Sequence, residues 1–388
     1  MGVPTLKNQV CVVMRAALAG TVSAVGMGAV SASSALAEPS FLAPPGQAAV
    51  FVQTDNPAGN QIVAYERAPN GALGDPQAYN TGGDGAATSG SAVDPLSSQG
   101  SLVLANDGRA LLAVNAGSDT VSVFRVFGSR LALSQVVGSG GEFPASIAVH
   151  GDLVYVLNSG GAGSLQGFSF FGDRLIPLWR SNRSLGLSNS SPPFFLDSPG
   201  QVGFTPDGQE LIVTTKNSGS DIDVYSVGEF GYLSDQPTIN AAAAPVPFAF
   251  TFDDVGNLIV TEAGASDLTS YLVARRGTVT EIGSAGDGQA ALCWVTAVDG
   301  YFYGSNAGSA NVSQFEETSG GVPDLVGVAA SLTSGATDSA ASSDGRDIYV
   351  EEGGTGAVDE FQVGSGGALT EVGEVSGLSA PIEGIAAS

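Results

Sequence analysis

The feature that most constrains this chain is a short unit that recurs seven times. A strand end, a glycine turn and a strand closing on Phe or Tyr run from Asn56 to Tyr65, Asn115 to Phe124, Lys216 to Tyr225, Glu262 to Tyr271, Asn306 to Phe315 and Glu352 to Phe361, each pair nine residues apart. Asn158 to Phe168 is the seventh copy, with one extra residue in its Gly160-Gly161 turn. Before every copy except the first lies an apolar strand and a tight turn, as in Asn106-Asp107-Gly108, Pro206-Asp207-Gly208 and Ser343-Asp344-Gly345. Asp-Gly supplies the positive-φ positions that a two-residue hairpin needs. A second turn and a fourth strand follow, as in Gly128-Ser129-Arg130-Leu131. The unit is therefore four antiparallel strands, A to D, in about 45 residues, the size of a propeller blade. One such sheet cannot bury both of its faces, whereas several packed radially can.

The two ends of the chain fit this count. The first copy begins at its B strand, Ala48 to Gln53, with no A strand before it. The C-terminus carries a surplus A-like strand, Ile382 to Ala387, comparable to Pro144 to Val149. The pattern predicts an all-β chain: a seven-bladed β-propeller with four antiparallel strands per blade, its ring closed by the C-terminal strand, in a single domain over 38–388. A six-bladed ring with one stray hairpin is the alternative.

Composition narrows the function. A formal net charge of −25 repels phosphodiester and anionic-lipid surfaces, so nucleic-acid binding is excluded as a main role. One histidine and two cysteines leave no material for a His-rich metal site or a disulfide framework. Residues 1–37 read as a Sec-type signal peptide. Lys7 and Arg15 give the positive region, Ala16 to Val30 the apolar region, and Ala35-Leu36-Ala37 the cleavage site before Glu38. The apolar run is too short and too rich in Gly, Ala and Ser for a membrane anchor. The expectation is a secreted, extracellular chain with no membrane span after cleavage.

Leu111-Leu112-Ala113-Val114-Asn115-Ala116-Gly117-Ser118-Asp119-Thr120-Val121-Ser122-Val123-Phe124 resembles the YVTN-type repeat of the seven-bladed lactonase-like propellers. Leu153 to Asn158 and Asp347-Ile348-Tyr349-Val350 resemble its strand-B half. The resemblance spans nearly all of 38–388 and implies an enzyme related to 6-phosphogluconolactonases and carboxymuconate cyclases. It also implies His, Arg and Glu at the mouth of the central channel. The single histidine, His150, falls instead in an A–B turn, on the opposite face, and reads as a solvated turn residue. Cys293, beside Trp294, reads as a buried apolar thiol.

Strands alternate in direction, so B–C turns and D–A connections share one face, and the residue opening each B–C turn recurs around the mouth. That set is Asn56, Asn115, Asn158, Lys216, Glu262, Asn306 and Glu352. Asn in such a turn caps it with its own side chain; the charges at Lys216, Glu262 and Glu352 break the repeat. A ligand is not seven-fold symmetric, so these three are the candidate catalytic residues, with Asn115, Asn158 and Asn306 as candidate ligand-binding positions. Two D–A connections are longer than a blade needs. Tyr79 to Gln99 is rich in Gly, Ser and Ala and reads as flexible. Arg180 to Gly200 carries Pro192-Pro193, Phe194-Phe195 and Asp197 and reads as ordered, with Arg180, Arg183 and Asp197 reaching the ligand.

Three functions remain open. The first is a secreted lactone hydrolase or cycloisomerase, with Glu262 or Glu352 as base and Lys216 or a loop Arg as electrostatic partner. The second is the same chemistry assisted by Ca²⁺ or Mg²⁺ on Glu262, Glu352 and neighbouring Asn oxygens, although no cofactor requirement is evident. The third is a non-catalytic extracellular propeller that binds a small ligand, a peptide or an envelope component.

Overall fold

The computed structural model describes residues 48–388; the expected signal peptide and its cleavage site lie outside the described residues. Seven antiparallel sheets follow one another along the chain, in sequence order from strand A to strand D in every blade but the first. Blade 2 shows the plan: A is Leu102–Ala105, B is Ala110–Asn115, C is Thr120–Phe127 and D is Arg130–Gly138. Blades 3 to 7 open on A strands at Pro144–His150, Gln201–Phe204, Pro247–Phe252, Leu292–Val298 and Ala336–Ala341. Blade 3 adds a short strand, Arg183–Ser184, which pairs with its C strand where D stops at Pro177. Among the described residues no helix is long and apolar enough to cross a membrane.

The ring closes as the ends of the sequence predict. Ile385–Ala387 lies antiparallel to Ala49–Gln53, with Val52 opposite Ile385 and Val50 opposite Ala387, and supplies strand A of blade 1. The apolar core divides into seven clusters, one at each blade interface. Leu112, Val114, Ile147 and Phe168 fill the gap between blades 2 and 3, and Phe248, Leu268, Trp294 and Phe315 that between blades 5 and 6. The seam between blades 7 and 1 is as well filled as the rest, by Val50, Tyr65, Tyr349, Val358 and Ile385. Burying these chains at about 25 cal/mol per Å² is what holds neighbouring sheets together.

Polar ties repeat around the ring as well, and they account for the motif residues. The strand-B tyrosine of one blade donates its hydroxyl to a carbonyl in the C–D turn of the next. Tyr155 reaches Gly231 at 2.8 Å, Tyr303 reaches Gly367 at 2.6 Å, and Tyr349 reaches Gly71 at 2.7 Å across the seam. Arg67 of blade 1 adds ion pairs across the same seam to Asp347 at 2.5 Å and Asp344 at 3.2 Å.

On the mouth face each B–C turn leans on the preceding D–A connection. Gly117 donates to Asp84 at 2.9 Å, Gly160 to Glu142 at 2.9 Å, Gly264 to Pro245 at 3.0 Å and Gly308 to Ala290 at 3.0 Å. A Cβ at Gly264 would sit 2.8 Å from the Pro245 oxygen, which is why the turn sequence needs glycine there. Phe143, Val246 and Ala291, each just ahead of a strand A, hold φ of 55°, 62° and 61°. Their carbonyls accept from the Ser159, Ala263 and Ala307 amides of the same blade's B–C turn. This strained backbone recurs from blade to blade, so it belongs to the architecture.

Two stability tests follow from the seam. Trimming Pro381 to Ser388 removes strand A of blade 1 and should lower the thermal midpoint of the whole ring in calorimetry; an unchanged midpoint would contradict closure. Tyr349→Phe leaves the Gly71 carbonyl without its buried donor and should cost about 1–3 kcal/mol in denaturant unfolding.

Candidate functional site

The residues that open the B–C turns are almost all buried, and their side chains are used within the blades. Asn115 donates to Thr120 Oγ1 at 3.1 Å and Ser122 Oγ at 2.8 Å, five and seven residues on, and accepts from Asn60 at 3.1 Å. Asn306 repeats this with Asn311 and Ser313, both at 2.9 Å. Asn158 is equally buried and makes one long bond to the Ser139 carbonyl at 3.4 Å. Asn56, in blade 1, is exposed and caps its own turn at the Ala58 amide, 2.9 Å away.

Glu262 also bonds to the C strand of its own blade, but as an acceptor. It accepts from Thr269 at 2.7 Å and Tyr271 at 2.5 Å on its own C strand, and burial raises its carboxyl above the usual range. Glu352 accepts from the Thr333 and Ser334 amides and from Thr355 at 2.6 Å. The two glutamates break the repeat in charge and reverse its hydrogen-bonding sense from donor to acceptor, and neither lies on the wall of the pocket described below. Among the described residues no group of three or more His, Cys, Asp or Glu side chains is arranged to hold a metal.

The two long connections do converge over the mouth, as their shared face requires. Ser89 accepts from Phe195 at 3.1 Å and donates to Pro193 at 2.8 Å, and Gln99 donates to Gly200 at 3.0 Å. The first connection is not the flexible excursion its composition suggests. Residues 88 to 97 form a closed loop whose neck is pinned by Thr88 to Pro95 at 2.6 Å and Thr88 Oγ1 to Ser97 Oγ at 3.0 Å. Asp94, Leu96, Ser97 and Ser98 are buried. The sequence signal misleads because Gly and Ser lower the cost of close approach as readily as they confer mobility.

Glu383, on the closing segment, fixes the base of this loop. Its carboxyl accepts from the Leu96, Ser97 and Ser98 amides at 2.6, 2.9 and 2.7 Å, and from Ser98 Oγ at 3.3 Å. Lys216 holds the other side. Fully buried, it donates to the Ser97 carbonyl at 2.6 Å and the Phe195 carbonyl at 2.5 Å, one from each long connection, and lies 4.8 Å over the Phe248 ring. Burial lowers its ammonium to about 8, against the support of Asp94 and Glu383.

Arg183 and Arg180 do not join it. Arg183 donates to the Leu233 and Ser234 carbonyls at 2.9 and 3.0 Å and pairs with Asp235 at 3.5 Å, at the start of blade 4's outer strand. Arg180 is exposed, 5.7 Å from the Trp179 ring. Asp197 stays closer: it accepts from Asn217, beside Lys216, at 3.1 Å and adds to the field on Lys216.

The convergence borders a half-open pocket of about 370 Å³ over blades 5 and 6. Gly90, Val93 and Asp94 of the first connection and Phe195 and Leu196 of the second form one side. Phe248, Ala263, Gly264, Cys293, Ala307 and Gly308 form the other. Asp94 is the one ionisable carboxyl on its wall; Ser91 donates to it, and burial raises it above the usual range. Burial also holds the Cys293 thiol high, so it is neutral. The sequence reading missed Asp94 and Glu383, because neither occupies a position that the repeat defines.

Further carboxyls fill the channel near Glu383. Asp55 is pushed up to about 8 and Asp338 to about 7, both chiefly by burial, and Glu351 is raised by burial and by Asp338. Each raised acid holds its proton in the folded state after the unfolded chain has lost it. Its contribution to stability is therefore largest at acid pH and falls as pH rises from about 4 to its folded value. Thermal midpoints should accordingly be highest near pH 4–5 and decline towards pH 8, and Asp55→Asn with Asp338→Asn should flatten that slope. A midpoint that rises over this interval would contradict buried, protonated acids.

No family model and no curated protein sequence matches this chain. Solved structures do. The "putative 6-phosphogluconolactonase" of Bacteroides uniformis superposes with a TM-score of 0.69 at 15% identity, covering 88% of this chain and 99% of its own. The periplasmic gluconolactonase of Pseudomonas aeruginosa gives 0.68 at 16%, covering 88% and 99%. A hypothetical selenium-binding protein of Sulfolobus tokodaii gives 0.64 at 12%, covering 90% and 95%. At these identities the likeness establishes one thing: this chain shares its propeller fold with these proteins.

Proposed function

We propose that this protein binds a small, uncharged and largely apolar molecule in the pocket at the propeller mouth. The observation that carries this reading is the pocket wall. It consists almost wholly of Gly, Ala, Val, Leu and Phe, with Ser91, Asp94 and Cys293 as its polar members. A volume of about 370 Å³ lies in the range of ordinary small-ligand sites. The nearest cation, Lys216, is enclosed and committed to two carbonyls, so nothing on the wall balances a phosphate or carboxylate ligand. A phosphorylated sugar lactone is disfavoured on that ground, and by the strongly acidic chain as a whole.

A second reading, hydrolysis of a neutral lactone, is supported by Asp94. A carboxyl whose proton affinity is raised by burial suits general-base work near neutral pH. The fold neighbours named as lactonases point the same way by analogy only. In either reading the chain works as an exported protein, following the leader-like residues 1–37.

A panel of neutral and phosphorylated lactones and apolar cyclic alcohols, followed by calorimetry and by product release, tests this. Saturable binding of uncharged members, abolished by Ala263→Phe, is the expected result. Preference for a phosphorylated member, or binding unaffected by Ala263→Phe, would overturn it. Turnover that Asp94→Asn removes while binding persists would establish the hydrolase.

A further inference from the structure

Lys216 stands where a turn-forming Asn stands in other blades, yet it does not serve its own turn. Its two acceptors come from the two connections that cover the pocket: Ser97 at the neck of the 88–97 loop, and Phe195 beside it. On the far side of that neck, Glu383 takes the Leu96, Ser97 and Ser98 amides. The loop base is thus gripped through its carbonyl by a cation and through its amides by an acid. The loop tip, Gly90 to Asp94, carries the pocket wall, and Asp94 stands within the field of both Lys216 and Glu383.

We propose that Lys216 is a proton-dependent clamp on this lid: charged, it holds the lid down over part of the pocket through Ser97 and Phe195; neutral, it lets the Gly90–Asp94 tip lift and widens the way in for ligand. The proposal takes its purpose from the pocket reading above, but its geometry does not require that reading. The physical argument has two parts. A hydrogen bond from an ammonium is roughly twice as strong as one from a neutral amine, so losing the proton weakens both lid contacts at once. It also leaves Asp94 on the lid facing Glu383 on the ring, with no counter-charge between them.

The groups around the clamp all act in one direction. Asp94 from the lid, Glu383 from the closing segment and Asp197 from the second connection favour the charged amine, the Phe248 ring of blade 5 adds its face, and the neutral Cys293 thiol of blade 6 lies beside them. Burial opposes them, and it brings the ammonium down to about 8. The switch therefore sits in the mildly alkaline range: clamped below it, released above it. Around Glu383 itself, Asp55, Asp94 and Asp338 are acids and add no competing cation.

Trp294 offers a direct readout, because its indole donates to the Ser98 carbonyl at 2.7 Å in the neck of the lid. The sequence has one other tryptophan, Trp179, exposed on blade 3. In full-length protein carrying Trp179→Phe, acrylamide quenching of Trp294 would be followed from about pH 6 to about pH 9.5, with far-UV circular dichroism alongside. The expected result is a rise in quenching centred near pH 8, at constant circular dichroism. In Lys216→Met the rise should be lost, with high quenching at every pH. In Asp94→Asn, which removes a charge that supports the ammonium, the rise should move to lower pH. Asp94→Asn also keeps the test decisive if Lys216→Met does not fold. Flat quenching across the range, a rise that coincides with loss of circular dichroism, or an unmoved midpoint in Asp94→Asn would overturn the clamp. No ligand is used, so failure of every lactone and alcohol to bind would count against the pocket reading alone.

Discussion

Everything in this molecule depends on the pairing of a three-residue strand at one end of the chain with a five-residue strand at the other. Seven sheets arranged radially leave two open flanks unless the ring closes, and an open sheet edge exposes both unpaired amides and apolar surface. Ile385–Ala387 on Ala49–Gln53 removes that edge, and the seam is reinforced by Tyr349, Arg67 and a full apolar cluster. The chain thereby turns seven marginal sheets into a structure in which every sheet has two neighbours. Closure also carries Glu383 into the channel, and with it the anchor of the lid. The strand that completes the fold and the residue that shapes the mouth are two residues apart.

The electrostatics of the channel follow from that placement. Asp55, Asp94, Asp338, Glu351 and Glu383 share a buried space with Lys216. Burying that many ionised carboxylates against one ammonium would cost far more than the fold's net stability. Asp55, Asp338 and Glu351 therefore keep their protons. Burial raises Asp94 and Glu383 as well, but Lys216 beside Asp94, and three amides and a hydroxyl on Glu383, favour the charged form of those two. On the reading proposed above, such a channel offers no cation to an anionic guest. The apolar wall of the neighbouring pocket expresses the same preference.

Symmetry argues well for structure and less well for chemistry. The repeat made the blades legible, down to the glycines of their B–C turns. The same logic singled out Lys216, Glu262 and Glu352 as departures from it. Glu262 stays within its own blade: it bonds to the C strand as Asn115 does, but accepts from Thr269 and Tyr271 where Asn115 donates to Thr120 and Ser122. Lys216 departs in role as well, because its side chain leaves its own blade for carbonyls that lie 119 and 21 residues away in sequence. A position that breaks a repeat has a changed environment, and its new partner decides whether that change concerns a ligand or a neighbouring loop.

The sequence by itself determined the blade count, the four-stranded plan, the closing strand and the face on which the long connections meet. These are local patterns, set by side-chain alternation, turn chemistry and the spacing between copies, and each copy states them again. Only the tertiary structure decided what fills the mouth. That the 88–97 loop is buried, that Arg183 turns outward to Leu233 and Ser234, and that Asp94 and Glu383 meet around Lys216 all depend on contacts between segments up to several hundred residues apart. Such contacts leave no period in the chain, because a lid crosses the ring once and a single crossing has nothing to repeat.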